Sequence, residues 1–248
     1  MLCCHDGSED GAALCKLRIS GQYRNALVTS LSRKDPESRY WQARAASELA
    51  SASFKQLDTL PDSRERREIR ATMARGQRRY EDAIAELRAA LKMAPGDPDL
   101  LAELGTTYFY ARDFDRTVAT LQPLFKIRGN DPQLLGMCGE ALLELQRLEQ
   151  AIPLLERATS IDSTNSAARL ALARAYVQKQ YFAAAIPLLE LEIPDDKDGS
   201  VHVQLARAYK GAGNDEKAAQ LLTRSQELQR AAQERNAATG QRTISPPK

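Results

Sequence analysis

An all-α fold of stacked helix pairs is predicted by three features of the 248-residue chain. Alanine and leucine, both strong helix formers, fill 38 and 32 positions. Two hexapeptides recur: Ala151-Ile-Pro-Leu-Leu-Glu156 returns 34 residues on at Ala185 to Glu190, and Leu172-Ala-Arg-Ala-Tyr-Val177 returns 33 residues on, one residue altered, at Leu205 to Lys210. Within each repeated stretch apolar residues follow three- and four-residue spacing, stop at a polar or glycine-bearing turn, and resume in a second helix. A period of this size marks a repeat architecture, because one helix pair cannot bury its apolar faces alone and stacked neighbours can.

From the N-terminus, residues 1–8 are expected to be disordered and residues 9–63 to hold degenerate repeat helices. Gly21-Gln-Tyr23 followed by Ala26 reads as the turn and second helix of an eroded unit. Ser38 to Leu60, with Trp41 and Ala45, reads as one longer helix stopped at Pro61, since only 26 residues separate Ser38 from Arg64. Five units then start at Arg64, Pro98, Pro132, Ser166 and Gly199. Numbered from these starts, the eighth place holds Ala71, Gly105, Gly139, Ala173 and Ala206, small enough for two helices to touch. The eleventh holds Tyr108, Leu142, Tyr176 and Tyr209; the twentieth Ala83, Thr117, Ala151, Ala185 and Ala218; the twenty-fourth Leu87, Leu121, Leu155, Leu189 and Leu222. Large and small residues thus alternate across an expected seam.

The first helix of the Arg64 unit departs from this pattern, with Arg67 and Arg70 at places where large apolar residues belong. Pro153 and Pro187 are expected in the first turn of their second helices, where a missing N–H is harmless. Pro123 lies about a turn deeper, and loss of the bond to the Ala119 carbonyl predicts a kink. Asp215 to about Arg235 extends the last helix with a polar outer face, a solvating cap, and residues 236–248 are expected to form a disordered tail.

This spacing resembles the tetratricopeptide repeat, a helix-turn-helix of 34 residues with the pattern W-x2-L-G-x2-Y, then A-x3-F, then P. The resemblance covers residues 64–235 as five repeats with a C-terminal capping helix, and the long array is similar to bacterial members. It implies a right-handed α-solenoid with a concave groove lined by first helices, and a partner-binding scaffold in place of an enzyme. In that family the second, fifth, ninth, twelfth and thirteenth places face the groove. Here they offer Thr106, Phe109 and Tyr110, then Glu140, Leu143 and Glu144, then Arg174, Arg207 and Lys210: an aromatic patch, an acidic belt and a basic end. The expected ligand is an extended or helical peptide with an apolar anchor and acidic residues. The plainer alternative packs Phe109 and Tyr110 against the next unit and pairs the cations with Glu140 or Glu144. Family members that clamp a C-terminal carboxylate use Asn and Lys, whereas the ninth places here are Thr72, Thr106, Glu140, Arg174 and Arg207. A second functional reading is a substrate- or partner-recruiting subunit of a larger enzyme or of a secretion or envelope assembly.

Composition narrows the remaining classes. A formal charge of +2 lacks the basic excess that phosphate contacts require, so nucleic acid is not an expected partner. No apolar run approaches the length of a membrane span, so no membrane insertion is expected. The first residues run into acids without an apolar leader core, which predicts a cytoplasmic protein, or an exported one if the N-terminus is incomplete. Cys3, Cys4, Cys15 and Cys138 lack disulfide-framework spacing, and Cys3, Cys4 and His5 lack the second ligand pair of a zinc site. His5 and His202 stand without triad partners, and no metalloprotease helix, phosphate loop or nucleophile elbow occurs. Neither metal, cofactor nor catalysis is expected.

Overall fold

The structure, a computed structural model, describes residues 39–40, 42–48, 59 and 61–240. Residues 39–40 and 42–48 are helical. The expectations for residues 1–8, for the eroded unit at Gly21 and for most of the 38–60 helix lie outside the described residues, as does 241–248. Asp62–Asn236 form one compact unit.

The helices of this unit are α1 (Arg64–Gly76), α2 (Tyr80–Met93), α3 (Pro98–Tyr110), α4 (Phe114–Leu121), the one-turn α5 (Phe125–Arg128), α6 (Pro132–Glu144), α7 (Leu148–Ile161), α8 (Ser166–Gln178), α9 (Phe182–Glu190), α10 (Ser200–Gly211) and α11 (Asp215–Gly240). First helices thus start at the expected unit boundaries, one residue later in the last unit. In the first four units the start is fixed by a capping residue that also repeats, whereas α10 starts after Gly199 without a side-chain cap. Ser63 Oγ accepts from Arg66 N–H, Asp97 Oδ1 from Asp99 and Leu100, Asp131 Oδ1 from Gln133 and Leu134, and Asn165 Oδ1 from Ala168. These bonds satisfy N–H groups that have no partner inside the helix, and Pro98 and Pro132 occupy the first helical position, where no N–H is needed.

First helices end in a left-handed residue: Arg78, Arg112, Gln146, Gln180 and Gly213, with φ of 59°, 61°, 59°, 62° and 82°. The next N–H, on Arg79, Asp113, Arg147, Tyr181 or Asn214, reaches back to the carbonyl five residues earlier at 2.8–2.9 Å. This closes the helix and reverses the chain into its partner.

Stacking follows the repeat. In the first four units the first helix packs on its own second helix, the second helix packs on the next first helix, and α3, α6, α8 and α10 pack on one another in succession; in the last unit Leu221 of α11 joins the cluster around Leu205 of α10. The seam is the expected one: the twentieth-place residues are buried, and Leu87, Leu121, Leu155 and Leu189 are fully so. Thr117, buried among the alanines of its place, is satisfied by donating to the Asp113 carbonyl at 2.8 Å. Tyr176 and Leu188 touch both the cluster around Leu142 and Leu155 and the cluster around Leu189 and Leu205, so the core runs on between units.

Four expectations need correction, and one departure seen in the sequence, at Arg67 and Arg70, is explained. Leu222 is 44% exposed, and the last second helix turns Leu221 and Ser225 inward instead. Pro153 and Pro187 are interior, each the sixth residue of its helix, because α7 and α9 start directly after the left-handed turn. Each deprives one carbonyl, of Glu149 or Ala183, of its intrahelical donor. At Pro123 the helix does more than kink: α4 ends, a 3-10 turn spans Gln122–Leu124, and α5 resumes. Arg67 and Arg70 replace apolar packing with charge, both reaching Glu86 on α2, at 2.7 and 3.3 Å, while Arg67 also holds Asp62. Finally, α11 continues past 235 to Gly240, so residues 236–240 are helical and not tail.

Candidate functional site

The face formed by the first helices carries two clefts. One of about 610 Å³ lies over α1, α3 and α6, lined among others by Arg75, Asp99, Glu103, Thr106, Tyr110 and Met137. The other, about 330 Å³, lies over α6, α8 and α10 with Glu140, Leu170, Ala171, Arg174, Val201 and Gln204 on its walls. The first is rimmed by charges that already pair, Arg75 with Glu103 and Arg128 with Asp99. The second has a more apolar floor and one charged wall.

The nine expected groove residues divide. Thr106 and Tyr110 line the first cleft, where Thr106 Oγ1 approaches Met137 Sδ at 3.8 Å and the half-exposed Tyr110 ring stacks on Tyr80 at 6.5 Å. Glu140 and Arg174 line the second. Glu144 stands beside them, accepting from Arg174 Nη2 at 2.6 Å and lying 3.8 Å from Arg112 Nη2. Arg207 and Lys210 are exposed on α10 and pair with no acid among the described residues. Two positions are corrected. Leu143 is fully buried, and Phe109 is half-buried, its ring edge-on to Phe114 at 6.2 Å and packed on the core. The twelfth place lies four residues beyond the eighth-place seam, on the same stripe of the helix, and the apolar side chains of α3 and α6 turn inward there, whereas Lys210 at the same place of α10 stays exposed.

Charge around Glu140 is unbalanced. Burial pushes its carboxyl above the ordinary range, Arg174 opposes this from 3.9 Å, and neighbouring Glu144 adds to it. Arg174 gives its short contact to Glu144, so Glu140 keeps the weaker share. Cys138, on the buried side of the same helix, is fully buried and its thiol is raised to about 12 by burial, which makes it unreactive.

Sequence reasoning missed the sixth place. Glu103, Met137, Ala171 and Gln204 occupy it in successive units and each lines a cleft. Its mixed chemistry gave no pattern to find; a helical wheel phased on the eighth-place seam would have placed it beside the fifth and ninth. Among the described residues no cluster of metal-ligating side chains occurs and no helix is long and apolar enough to cross a membrane.

Similarity to known proteins follows the repeat. One tetratricopeptide-repeat family model matches residues 74–141 and 142–199, and a second matches residues 42–98, which take in the Arg64 unit and the segment before it. No curated protein matches the chain. Among solved structures, MamA from Desulfovibrio magneticus RS-1, from residue 41 to its end, superposes with a TM-score of 0.62 at 20% identity, covering 70% of this chain and 98% of that one. Another MamA crystal structure gives 0.59 at 17% identity, over 75% of this chain and 98% of its own. A MamA designated AMB-1 gives 0.58 at 23%, over 65% and 95%. With the same helix-turn-helix, seam and period in the sequence, the fold and the family models, the chain is an α-solenoid that belongs to the tetratricopeptide repeat family.

Proposed function

We propose that the chain is a non-enzymatic scaffold that holds an extended or helical segment of another protein on its first-helix face, with an apolar side chain and acidic residues as the recognised features. The family and the fold support protein–protein interaction as the general role. The observation that carries the finer reading is the juxtaposition on α8 and α10. The apolar floor made by Leu170, Ala171 and Val201 lies beside Gln204, and one and two turns further along α10 stand the exposed cations Arg207 and Lys210. An apolar anchor gains by leaving water for the floor, and the unpaired cations set its register through a neighbouring carboxylate. Arg174 contributes as the cleft wall, its charge committed to Glu144.

Affinity capture with mass spectrometry tests this with two variants of matched helicity by circular dichroism. Gln204→Trp should close the apolar cleft, and Arg207→Glu/Lys210→Glu should repel an acidic segment. Loss of the same wild-type partner from both is the expected result; its retention by both removes the first-helix face as the binding surface.

A further inference from the structure

We propose that the cleft over α6, α8 and α10 recognises a segment of mixed charge, with a lysine or arginine over α6, an apolar side chain on the floor, and an aspartate or glutamate at the far end of α10. This rests on the first-helix face as the binding surface and adds to it the basic residue and the order of the three.

Glu140 is the group left short of partners. It stands half-buried on the cleft wall, and among the described residues no hydrogen bond reaches its carboxylate. Two cations are near, Arg174 of α8 and Arg112 of the turn after α3, and both turn to Glu144, with Nη2 atoms at 2.6 and 3.8 Å. What remains for Glu140 is Arg174 Nη1 at 3.9 Å. Burial meanwhile disfavours its charged form. A partner's ammonium or guanidinium group restores what the cleft has taken from this carboxylate, and charge-assisted hydrogen bonds are the strong kind.

The stacking of the three helices sets the order. At the ninth place α6, α8 and α10 present Glu140, Arg174 and Arg207, with Lys210 about one turn beyond Arg207. Arg174 is engaged by Glu144, so the charges left for a ligand are an acid on α6 and two cations on α10, and the apolar Leu170 and Ala171 lie on the helix between. Packed helices are about 8–10 Å apart, which puts α10 roughly 16–20 Å from α6 and separates the two charged residues by about five or six residues of extended chain.

Other segments fail at one end. A uniformly acidic one sets a carboxylate against Glu140 and Glu144, and a uniformly basic one sets a cation against Arg207 and Lys210. A wholly apolar one covers Glu140 without bringing a donor. Asparagine and glutamine donate but leave the charge of Glu140 uncompensated, whereas lysine and arginine also lay an aliphatic stem along the apolar floor.

The test selects displayed random peptides of about 12 residues, long enough to cross all three helices, on the full wild-type chain. The expected sequences carry a basic and an acidic residue on opposite sides of an apolar one. In titrations of the leading peptide, Glu140→Gln should bind about tenfold more weakly than wild type, the loss of one charged hydrogen bond. A peptide with its basic residue changed to glutamate should lose as much on wild type and regain it on Glu140→Lys, a rescue that a merely structural role for Glu140 would not give. Selected peptides without a basic residue, or equal affinity for wild type and Glu140→Gln, overturn the mixed-charge proposal; the binding surface itself still stands if Gln204→Trp abolishes binding. Peptides that bind Gln204→Trp as well as wild type, or no enrichment at all, overturn both. Glu140→Gln keeps these outcomes readable if Glu140→Lys fails to fold.

Discussion

Leu155 occupies the space that a side chain on Gly139 would need: a Cβ there would stand 2.6 Å from Leu155 Cγ and 2.8 Å from its Cδ2. Gly105 and Leu121 repeat the relationship one unit earlier.

Gly139→Ala is therefore expected to lower stability by about 1–3 kcal/mol, the usual penalty of overpacking, although alanine is the better helix former. Leu155 is fully buried and has nowhere to move. Gly76, also helical, has nothing within 4 Å of its added Cβ, so Gly76→Ala should raise stability by roughly 0.5–1 kcal/mol. Urea melts of the pair separate the seam from propensity.

The left-handed turns give a second contrast. Arg78, Arg112, Gln146 and Gln180 adopt a conformation that costs a side-chain-bearing residue roughly 1–2 kcal/mol. Arg78→Gly and Gln146→Gly should each raise the melting midpoint, and Gly213→Ala should lower it, read by thermal or urea unfolding.

Glu140 gives a pH signature of defined sign. Its folded carboxyl is raised by burial, so between the ordinary glutamate value and the raised one the folded state binds more protons than the unfolded state. Its contribution to stability therefore falls as pH rises through that window. Glu140→Gln should be more stable than wild type near pH 7 and lose the advantage below pH of about 4, where the wild-type carboxyl is protonated in both states. Melting temperatures across that range check it.

Arg174 and Glu144 join adjacent units at 2.6 Å, with about a third and a quarter of their side chains exposed. A double-mutant cycle with alanine at each should give a coupling below about 1 kcal/mol that shrinks in high salt. Arg174→Glu would instead gather three acids at one wall, and its loss of stability would confuse any binding assay.

Much of the fold was legible because two signals repeat at one period. The eighth- and twenty-fourth-place residues fixed the units, and the structure places Gly139 and Leu155 in contact as that register requires. The site was less legible. Leu143 and Phe109 looked available by family place alone, yet each is an apolar side chain one turn beyond the seam and is drawn inward, where Lys210 at the same place is not. Pro153 was misplaced although the turn at Gln146-Arg147 was legible, because α7 starts at once at Leu148 and makes Pro153 its sixth residue. The buried pair of His202 and Asp196, with Nδ1 2.6 Å from Oδ2, had no sequence signal at all: the loop after α9 creates it, and its spacing of six matches no motif.

Within Asp62–Asn236 the main contacts of each helix pair are with its sequence neighbours, so the pitch of this unit is set seam by seam. The unit is in effect a spring, whose compliance is the sum of the give at each seam. Tension applied to its ends would be absorbed first where the coil is already broken, at the 3-10 interruption around Pro123. A ligand seated across α6, α8 and α10 would clamp several coils at once, so its occupancy would register as stiffness, measurable by pulling the chain with and without it.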